Sequence, residues 1–264
     1  MHGPKSQRVM RITHLSPAIV LRTWPFGESD RIVSLLTENH GKITGIAKGA
    51  KRSRKRFANS FEPFSFVVLR FQDRPHSSLA FILTCELQSG YKRLVASLEK
   101  IAYASYFVEI TEGLIGEREE NRAVFNHLRD GLLCLEEKET SLLFVTAFEL
   151  RLLQLTGYQP VFDSCRGCGV DRLRLAATAW HFSPRDGGVL CAVCARLRKE
   201  LFSLTTQALS LLTAIQSDPT PEVAGGPSAS SVVREIRSVV THFVRFQMGK
   251  EIKSASFLDQ FASF

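Results

Sequence analysis

Four cysteines fall in two close pairs, Cys165-Arg-Gly-Cys168 and Cys191-Ala-Val-Cys194, with 22 residues between the pairs. Two residues between paired cysteines let a tight turn aim both sulfurs at one point. Gly169, just after the first pair, suits such a turn because glycine tolerates positive φ. Two turns facing each other supply four thiolates in a tetrahedron, the set that zinc prefers. A redox Cys-x-x-Cys usually comes once, at a helix start, and a disulfide framework belongs to a secreted chain. An iron–sulfur cluster is the remaining four-cysteine alternative and the weaker one. Four sulfurs complete the shell and leave no place for a catalytic water, so His181 is read as a hairpin side chain rather than a ligand. The expectation is one structural zinc ion held by Cys165, Cys168, Cys191 and Cys194. Cys85 and Cys134 stand alone in apolar sequence and read as buried core thiols.

A second kind of chemistry lies in the stretch from Lys42 to Phe57. It carries Lys42, Lys48, Lys51, Arg52, Arg54, Lys55 and Arg56 and no acidic residue. Several of these are separated by Gly or Ser, so the stretch reads as a flexible cationic loop between two strands. Phosphate backbones are its natural counterpart, through binding that weakens steeply with salt. A merely solvated loop is the bland alternative, and attraction to a membrane surface fits less well, since no amphipathic helix carries the charges. Four aromatics at hand, Trp24, Phe26, Phe57 and Phe61, could stack bases, although core packing is the better reading for each taken singly. The charge is unevenly spread. The chain is +8 overall, with 16 Lys+Arg against 6 Asp+Glu in residues 1–93 and 18 against 20 in residues 94–264. That asymmetry points to an anionic partner for the first part.

Signatures of catalysis do not accompany these two features. Gly41-Lys42 and Gly249-Lys250 lack the upstream Gly and the following Ser or Thr of a phosphate loop. Glu28 and Asp30 adjoin Arg31 and read as rim charges of the first domain. No nucleophile elbow or paired carboxylates beside a His stand out, so the chain is read as a binding protein and not an enzyme.

The elements that must position these residues follow from the apolar patterning. Short β-like runs appear at Ala18 to Trp24, Asp30 to Thr37, Lys42 to Ala47, Phe64 to Phe71 and Ser78 to Leu87, with turn residues between them. Five short strands without a long helix suit a small barrel, OB-like or SH3-like. From Tyr91 the period becomes helical. Leu94 to Ile115 is apolar on nearly every side, and Val124, Leu128, Leu132 and Leu135 step at helical spacing. Leu142 to Leu155 should end at Gly157, with Pro160 beyond. The cysteine module occupies 162–198, and its gap reads as a hairpin in which Leu173, Leu175, Ala177 and Ala179 alternate before a turn at Ser183 to Gly188. Another helix runs from about Thr205 to Gln216. Residues 218–230, with their Pro and Gly, read as a mobile loop. Ser231 is the expected N-cap of a last long helix, whose apolar face is Val232, Ile236, Val239, Val240 and Phe243 and whose end is Gly249. The fold class is therefore α+β, with a barrel domain over 1–90 and a mostly helical domain over 91–264. Residues 1–10 form a polar extension, and Met10 is an alternative start. No run reads as a membrane span or a signal peptide, which makes a cytoplasmic location the default.

The stretch Ala18-Ile-Val-Leu-Arg-Thr-Trp-Pro-Phe-Gly-Glu-Ser-Asp-Arg-Ile-Val33 resembles the opening of the RecO recombination mediators. So do Leu36-Thr-Glu-Asn-His-Gly-Lys-Ile-Thr-Gly-Ile-Ala-Lys-Gly-Ala-Lys51 and Phe61-Glu-Pro-Phe64. Glu149-Leu-Arg-Leu-Leu-Gln-Leu-Thr-Gly-Tyr-Gln-Pro160 leads into the cysteine module as in that family, and Gly249-Lys-Glu-Ile-Lys-Ser-Ala-Ser-Phe-Leu258 is similar to its ending. The extension before Met10 and the loop at 218–230 depart from the family pattern. The resemblance implies an N-terminal OB-fold and a helical domain with an inserted zinc module. It implies binding of single- and double-stranded DNA, annealing of complementary strands, and work with RecR to load RecA onto strands coated by single-strand-binding protein. It leaves the participation of RecF open, and it implies association with the nucleoid when the protein acts on DNA. The acidic tail of single-strand-binding protein would find an apolar groove in the helical domain, for which Arg151, Gln154 and Tyr158 are the candidates.

Overall fold

The computed structural model describes residues 12–53, 55–75, 77–139, 141–174, 179–218 and 230–261. The N-terminal extension, Arg54, Leu175, Ala177 and most of the 218–230 loop lie outside the described residues. The described chain divides into two compact units, residues 1–91 with 116–125, and residues 92–115 with 126–264.

In the first unit the β-branched and aromatic runs become five strands, β1 (Thr13–Phe26), β2 (Asp30–Thr37), β3 (Gly41–Ala47), β4 (Phe66–Gln72) and β5 (Ala80–Ser89). Their order β1-β2-β3-β5-β4 closes on itself as a barrel. Every neighbour pair is antiparallel except β3 with β5, where Gly45 and Ile46 lie parallel to Ala80 and Phe81. β1 is longer than its apolar run suggests, because its first half pairs with β4 and its second half with β2. A register shift between Val20 and Arg22 bends it from one partner to the other. Alternate residues point inward, so Ala18, Val20, Val33, Leu35, Ile43, Val67, Leu69 and Ile82 fill the barrel. Phe57 and Phe61 join that core with ring centroids 5.2 Å apart. They are therefore core residues and offer no face for stacking bases.

Residues 116–125 belong to this unit although two helices precede them in the chain. Glu117 forms a parallel bridge with Lys42, and the Arg118 amide donates to the Lys42 carbonyl at 2.8 Å. The Arg118 guanidinium pairs with Asp73 and lies over the Phe71 ring. Gly41 makes room for the strap. A Cβ there would come within 2.3 Å of the Glu119 carbonyl oxygen, and its φ is +62°.

The second unit is mostly helical, with α1 (Lys92–Val95), α2 (Leu98–Leu114), α3 (Arg122–Glu137, its first turn in the first unit), α4 (Leu142–Leu155), α5 (Ala192–Ala195), α6 (Thr206–Ser217), α7 (Ser230–Met248) and α8 (Ala255–Asp259). The apolar run from Leu94 is not one helix. Ser97 caps a fresh start by accepting the Lys100 amide, while Glu136 accepts the Arg93 and Leu94 amides of α1. α7 is already under way at Ser230, so Ser231 is a helical residue and not the cap. α4 ends as its glycine suggests, with Gly157 at φ +84°. Cys134 is half-buried rather than buried, whereas Cys85 is a core thiol. Burial pushes the Cys85 thiol up to about 12, which keeps it unreactive.

One charged cluster sits inside the helical core. Glu149 of α4 is fully buried and accepts from the Tyr106 hydroxyl of α2 and from the Arg237 guanidinium of α7. Burial drives its carboxyl above the ordinary value, and Arg237 pulls the other way. The three helices are thereby pinned by a polar contact that a slip of one turn would break.

Candidate metal centre and nucleic-acid interface

The cysteine module grows from two turns laid against a small sheet. β6 (Trp180–Ser183) pairs with β7 (Gly188–Cys191) on one side and with β8 (Phe202–Leu204) on the other. The turn between β6 and β7 falls where the sequence places it, and Asp186 accepts the Ser183 hydroxyl at 2.6 Å. Of the hairpin residues expected earlier, Leu173 lies in a 3-10 turn at Arg172–Arg174 rather than a strand.

The first cysteine turn is held by the Gly169 amide, which donates to the Cys165 carbonyl at 2.8 Å, with Gly169 at φ +74°. Gly167 between the cysteines is equally constrained, because a Cβ there would stand 2.8 Å from the Cys194 sulfur. The second pair begins at β7 and continues through the single turn of α5, with Cys191 as its N-cap. The four sulfurs of Cys165, Cys168, Cys191 and Cys194 all lie within 4.8 Å of one another, and those of Cys168 and Cys191 are 3.9 Å apart. A tetrahedral zinc ion with sulfur at about 2.3 Å would set its ligands about 3.8 Å apart. The residues therefore fit zinc in type, number and spacing.

The electrostatics agree. Burial works against ionising Cys165, but the amides of Cys191, Cys168 and Gly167 aim at its sulfur and bring the thiol down to about 6. The Cys191 and Gly167 amides stand 3.3 and 3.4 Å from that sulfur. Cys194 is pushed up to about 12, first by the Cys191 and Cys168 sulfurs. Four thiols this close cannot all ionise alone, and a bound dication removes the conflict.

The barrel loop is less free than its composition suggests. The Asp30 carboxylate accepts the Gly49 amide at 2.8 Å, and a 3-10 turn over Ala50–Arg52 follows. The Lys51 amide donates to the Ser29 carbonyl at 2.9 Å and its ammonium to the Gly27 carbonyl at 2.8 Å. The Arg56 guanidinium donates to the Lys48 carbonyl at 3.0 Å and lies over the Phe57 ring. Lys48, Lys51, Arg52, Lys55 and Arg56 are exposed. Lys42 differs from them. It lies on β3 with its ammonium 3.7 Å from the Glu117 carboxylate and its side chain only 12% exposed. Arg54 lies outside the described residues.

Trp24 and Phe26 are 39% and 49% exposed near the end of β1, and Arg22 lies over the Trp24 ring at 5.8 Å. These three residues alternate along one face of the strand, and Lys51 reaches the turn that follows them. The aromatics and cations thus share one end of the barrel. Sequence reasoning missed the anchoring part of Asp30, the Gly167 contact and the Glu117 partner of Lys42. Only the first had a local signal, a carboxylate beside the turn that faces a Gly-containing cationic loop.

In the second unit, Arg151 donates to Gln154 at 2.5 Å along α4. Arg151 also lines a cavity of about 250 Å³ with His127, Cys134, Phe144 and Phe148. Tyr158 does not line it, but lies beyond the helix end and is exposed.

Residues 10–91 match the family model described as Recombination protein O N terminal, and residues 95–256 match Recombination protein O C terminal. The DNA repair protein RecO of Syntrophus aciditrophicus (strain SB) is 31% identical over 252 residues, 95% of this chain and 96% of the relative. That of Myxococcus xanthus (strain DK1622) is 32% identical over 243 residues, 92% and 96% of the two chains. That of Thermoanaerobacter sp. (strain X514) is 29% identical over 247 residues, 92% and 95%. With its strand barrel, helical part and cysteine cluster, the chain is a DNA repair protein of the recombination pathway. It belongs to the RecO family. Among the described residues no helix is long and apolar enough to cross a membrane.

Proposed function

We propose that this protein is a non-enzymatic recombination mediator. It binds single- and double-stranded DNA, anneals complementary strands and, with RecR, helps load RecA onto strands coated by single-strand-binding protein during gap and double-strand-break repair. The observation that carries the reading is the row of exposed cations Lys48, Lys51, Arg52, Lys55 and Arg56 on a loop held to the barrel by Asp30, beside the exposed rings of Trp24 and Phe26. Neutralising phosphates at such a site lets a second strand approach without repulsion, and open aromatic faces accept bases of any sequence. Arg54 belongs to the same proposed site by its place in the chain, and Lys42 acts there by holding the strap rather than by meeting DNA.

We read the barrel as an OB-fold over residues 1–90, since five strands with a parallel β3–β5 closure and a ligand-facing loop suit that fold. The helical domain is 91–264 apart from the strap 116–125 that joins the barrel, and the zinc module is 162–198. Cys165, Cys168, Cys191 and Cys194 would hold one zinc ion, which supplies a crosslink between the two turns. The acidic tail of single-strand-binding protein is assigned to the α3–α4 cavity, with Arg151 as its cation and Gln154 as the partner that orients Arg151, and Tyr158 is a further candidate contact beyond the end of α4. RecF is a further candidate partner. We place the protein in the cytoplasm, on the nucleoid when it acts on DNA.

Annealing of complementary oligonucleotides, with and without single-strand-binding protein, tests the reading. The rate should rise well above the spontaneous rate and fall steeply with salt. DNA held in preference to RNA belongs to the same expectation. Annealing no faster than the spontaneous rate would refute it.

A further inference from the structure

The zinc module reverses the charge of the part of the chain around it. Residues 162–198 carry six Lys+Arg against three Asp+Glu, although residues 94–264 as a whole hold 18 against 20. The cations are not scattered. Arg185, Arg198 and Lys199 line a cavity of about 600 Å³ together with Phe246 of α7. A second cavity of about 850 Å³ shares Pro184, Glu200 and Phe246 with the first and extends past His242 to Lys250. The two adjoin along these shared residues as one trough-like surface. Two of its three acids are engaged already, and Glu200, which lines both cavities, is the third. Asp186 lies 3.3 Å from Arg198 and accepts the Ser183 hydroxyl, and Glu251 lies 3.1 Å from Arg245. Arg185, Lys199 and Lys250 make no ion pair among the described residues. Phe246, at the junction of the two cavities, is 48% exposed.

We infer that this trough binds a second nucleic-acid strand, with Arg185, Lys199 and Lys250 on its phosphates and Phe246 as the stacking face for its bases. An aromatic face open to solvent and bordered by cations is the arrangement that holds single strands without regard to sequence. An acidic peptide would instead want its apolar anchor enclosed, and here the Phe246 ring stands half open where the two cavities adjoin. The inference rests on the proposed strand-annealing function and deepens it. One chain would then offer two strand-binding surfaces, the barrel loop and the zinc module.

The test uses the full chain and oligo(dT) short enough to occupy one surface. Titration of the wild type should saturate at two strands per chain. R185A/K199A/K250A should saturate at one, lower the salt slope of single-strand binding by about 2 and slow annealing about tenfold. All three side chains are exposed, and unchanged zinc content and melting temperature would show that the fold is kept. Phe246→Ala should weaken only the second binding event, by about tenfold. Annealing and stoichiometry unchanged in the triple variant would overturn the inference while leaving the annealing function standing. So would a triple variant that keeps both strands but loses an acidic peptide. A wild type that binds no strand would remove the underlying function, and the trough with it.

Discussion

The Asp30 carboxylate accepts a hydrogen bond from the Gly49 amide at 2.8 Å where the cationic loop leaves the barrel, just before the Lys51 contacts to Ser29 and Gly27. Gly49 itself sits at φ +69°, a conformation that asks for glycine. The Gly49 amide is the main influence holding the Asp30 carboxyl below its usual value, and burial opposes it. An acid with a depressed folded-state pKa stabilises above its unfolded pKa, and that help is lost as pH falls through the folded value. Asp30→Ala should therefore speed hydrogen exchange of the Gly49 amide about tenfold at neutral pH, an effect that fades in acid. An exchange rate identical to wild type would show the loop to be held by other contacts.

The cations of the loop should separate by partner. K48A/K51A/R52A/K55A is expected to reduce the salt slope of single-strand binding by about 3, since each lost phosphate contact removes about 0.7. Lys42→Ala should change that slope little, because its ammonium already faces Glu117. Its effect should appear in exchange of the Arg118 amide, which bonds the Lys42 carbonyl. Equal slopes for the two variants would contradict the distinction.

Protein purified without added metal should carry zinc at one ion per chain. C165S/C168S should be metal-free and melt roughly 10 °C lower, as expected when a crosslink of the native state is removed. A metal-free variant with the wild-type melting temperature would rule out a structural zinc.

His127 offers a pH test. It stacks on Phe148 at 4.3 Å, and its Nε2 donates to the Phe148 carbonyl at 3.0 Å. Burial is the main cause that brings it down to about 4. The unfolded chain takes up a proton near pH 6.5 that the folded chain refuses until pH 4, so stability falls as pH drops through that window, by about 3 kcal/mol at most. Urea melts at pH 7 and pH 5 should show a larger difference for the wild type than for His127→Gln. Parallel loss in both proteins would assign the pH dependence elsewhere.

The buried Glu149 makes a sharper prediction about stability. Arg237→Ala strands a carboxylate in the helical core and should cost about 3–5 kcal/mol. E149L/R237L removes both charges and should recover most of that loss. Chemical denaturation of the two variants decides it, and a double variant as unstable as the single one would mean that packing, not charge, dominates there.

Much of this molecule is legible in its residues, for reasons that can be named. The strands announce themselves as short apolar runs between turn signals, and Cys165, Cys168, Cys191 and Cys194 because their spacing is a metal ligand's spacing. Gly157 and Gly169 stand in the left-handed conformations their positions suggest. What stays hidden depends on distant partners. Phe57 and Phe61 flank a cationic loop, yet the barrel core takes both. Lys42 belongs to a run of cations, yet Glu117 reaches it from beyond two helices. The break at Ser97 is missed because neighbouring apolar residues mask a cap that only its hydrogen bond reveals.

The strap of residues 116–125 has a consequence for synthesis. The barrel's own strands are complete at Ser89, but Glu117 and Glu119 pack on β3 only after α1 and α2 have been made. As the chain emerges from the ribosome, the barrel must wait with one flank uncovered while the start of the helical unit is translated. The two units are interleaved in the gene and cannot be separated by a cut at residue 91. A fragment ending there would keep five strands and lack the piece that finishes them.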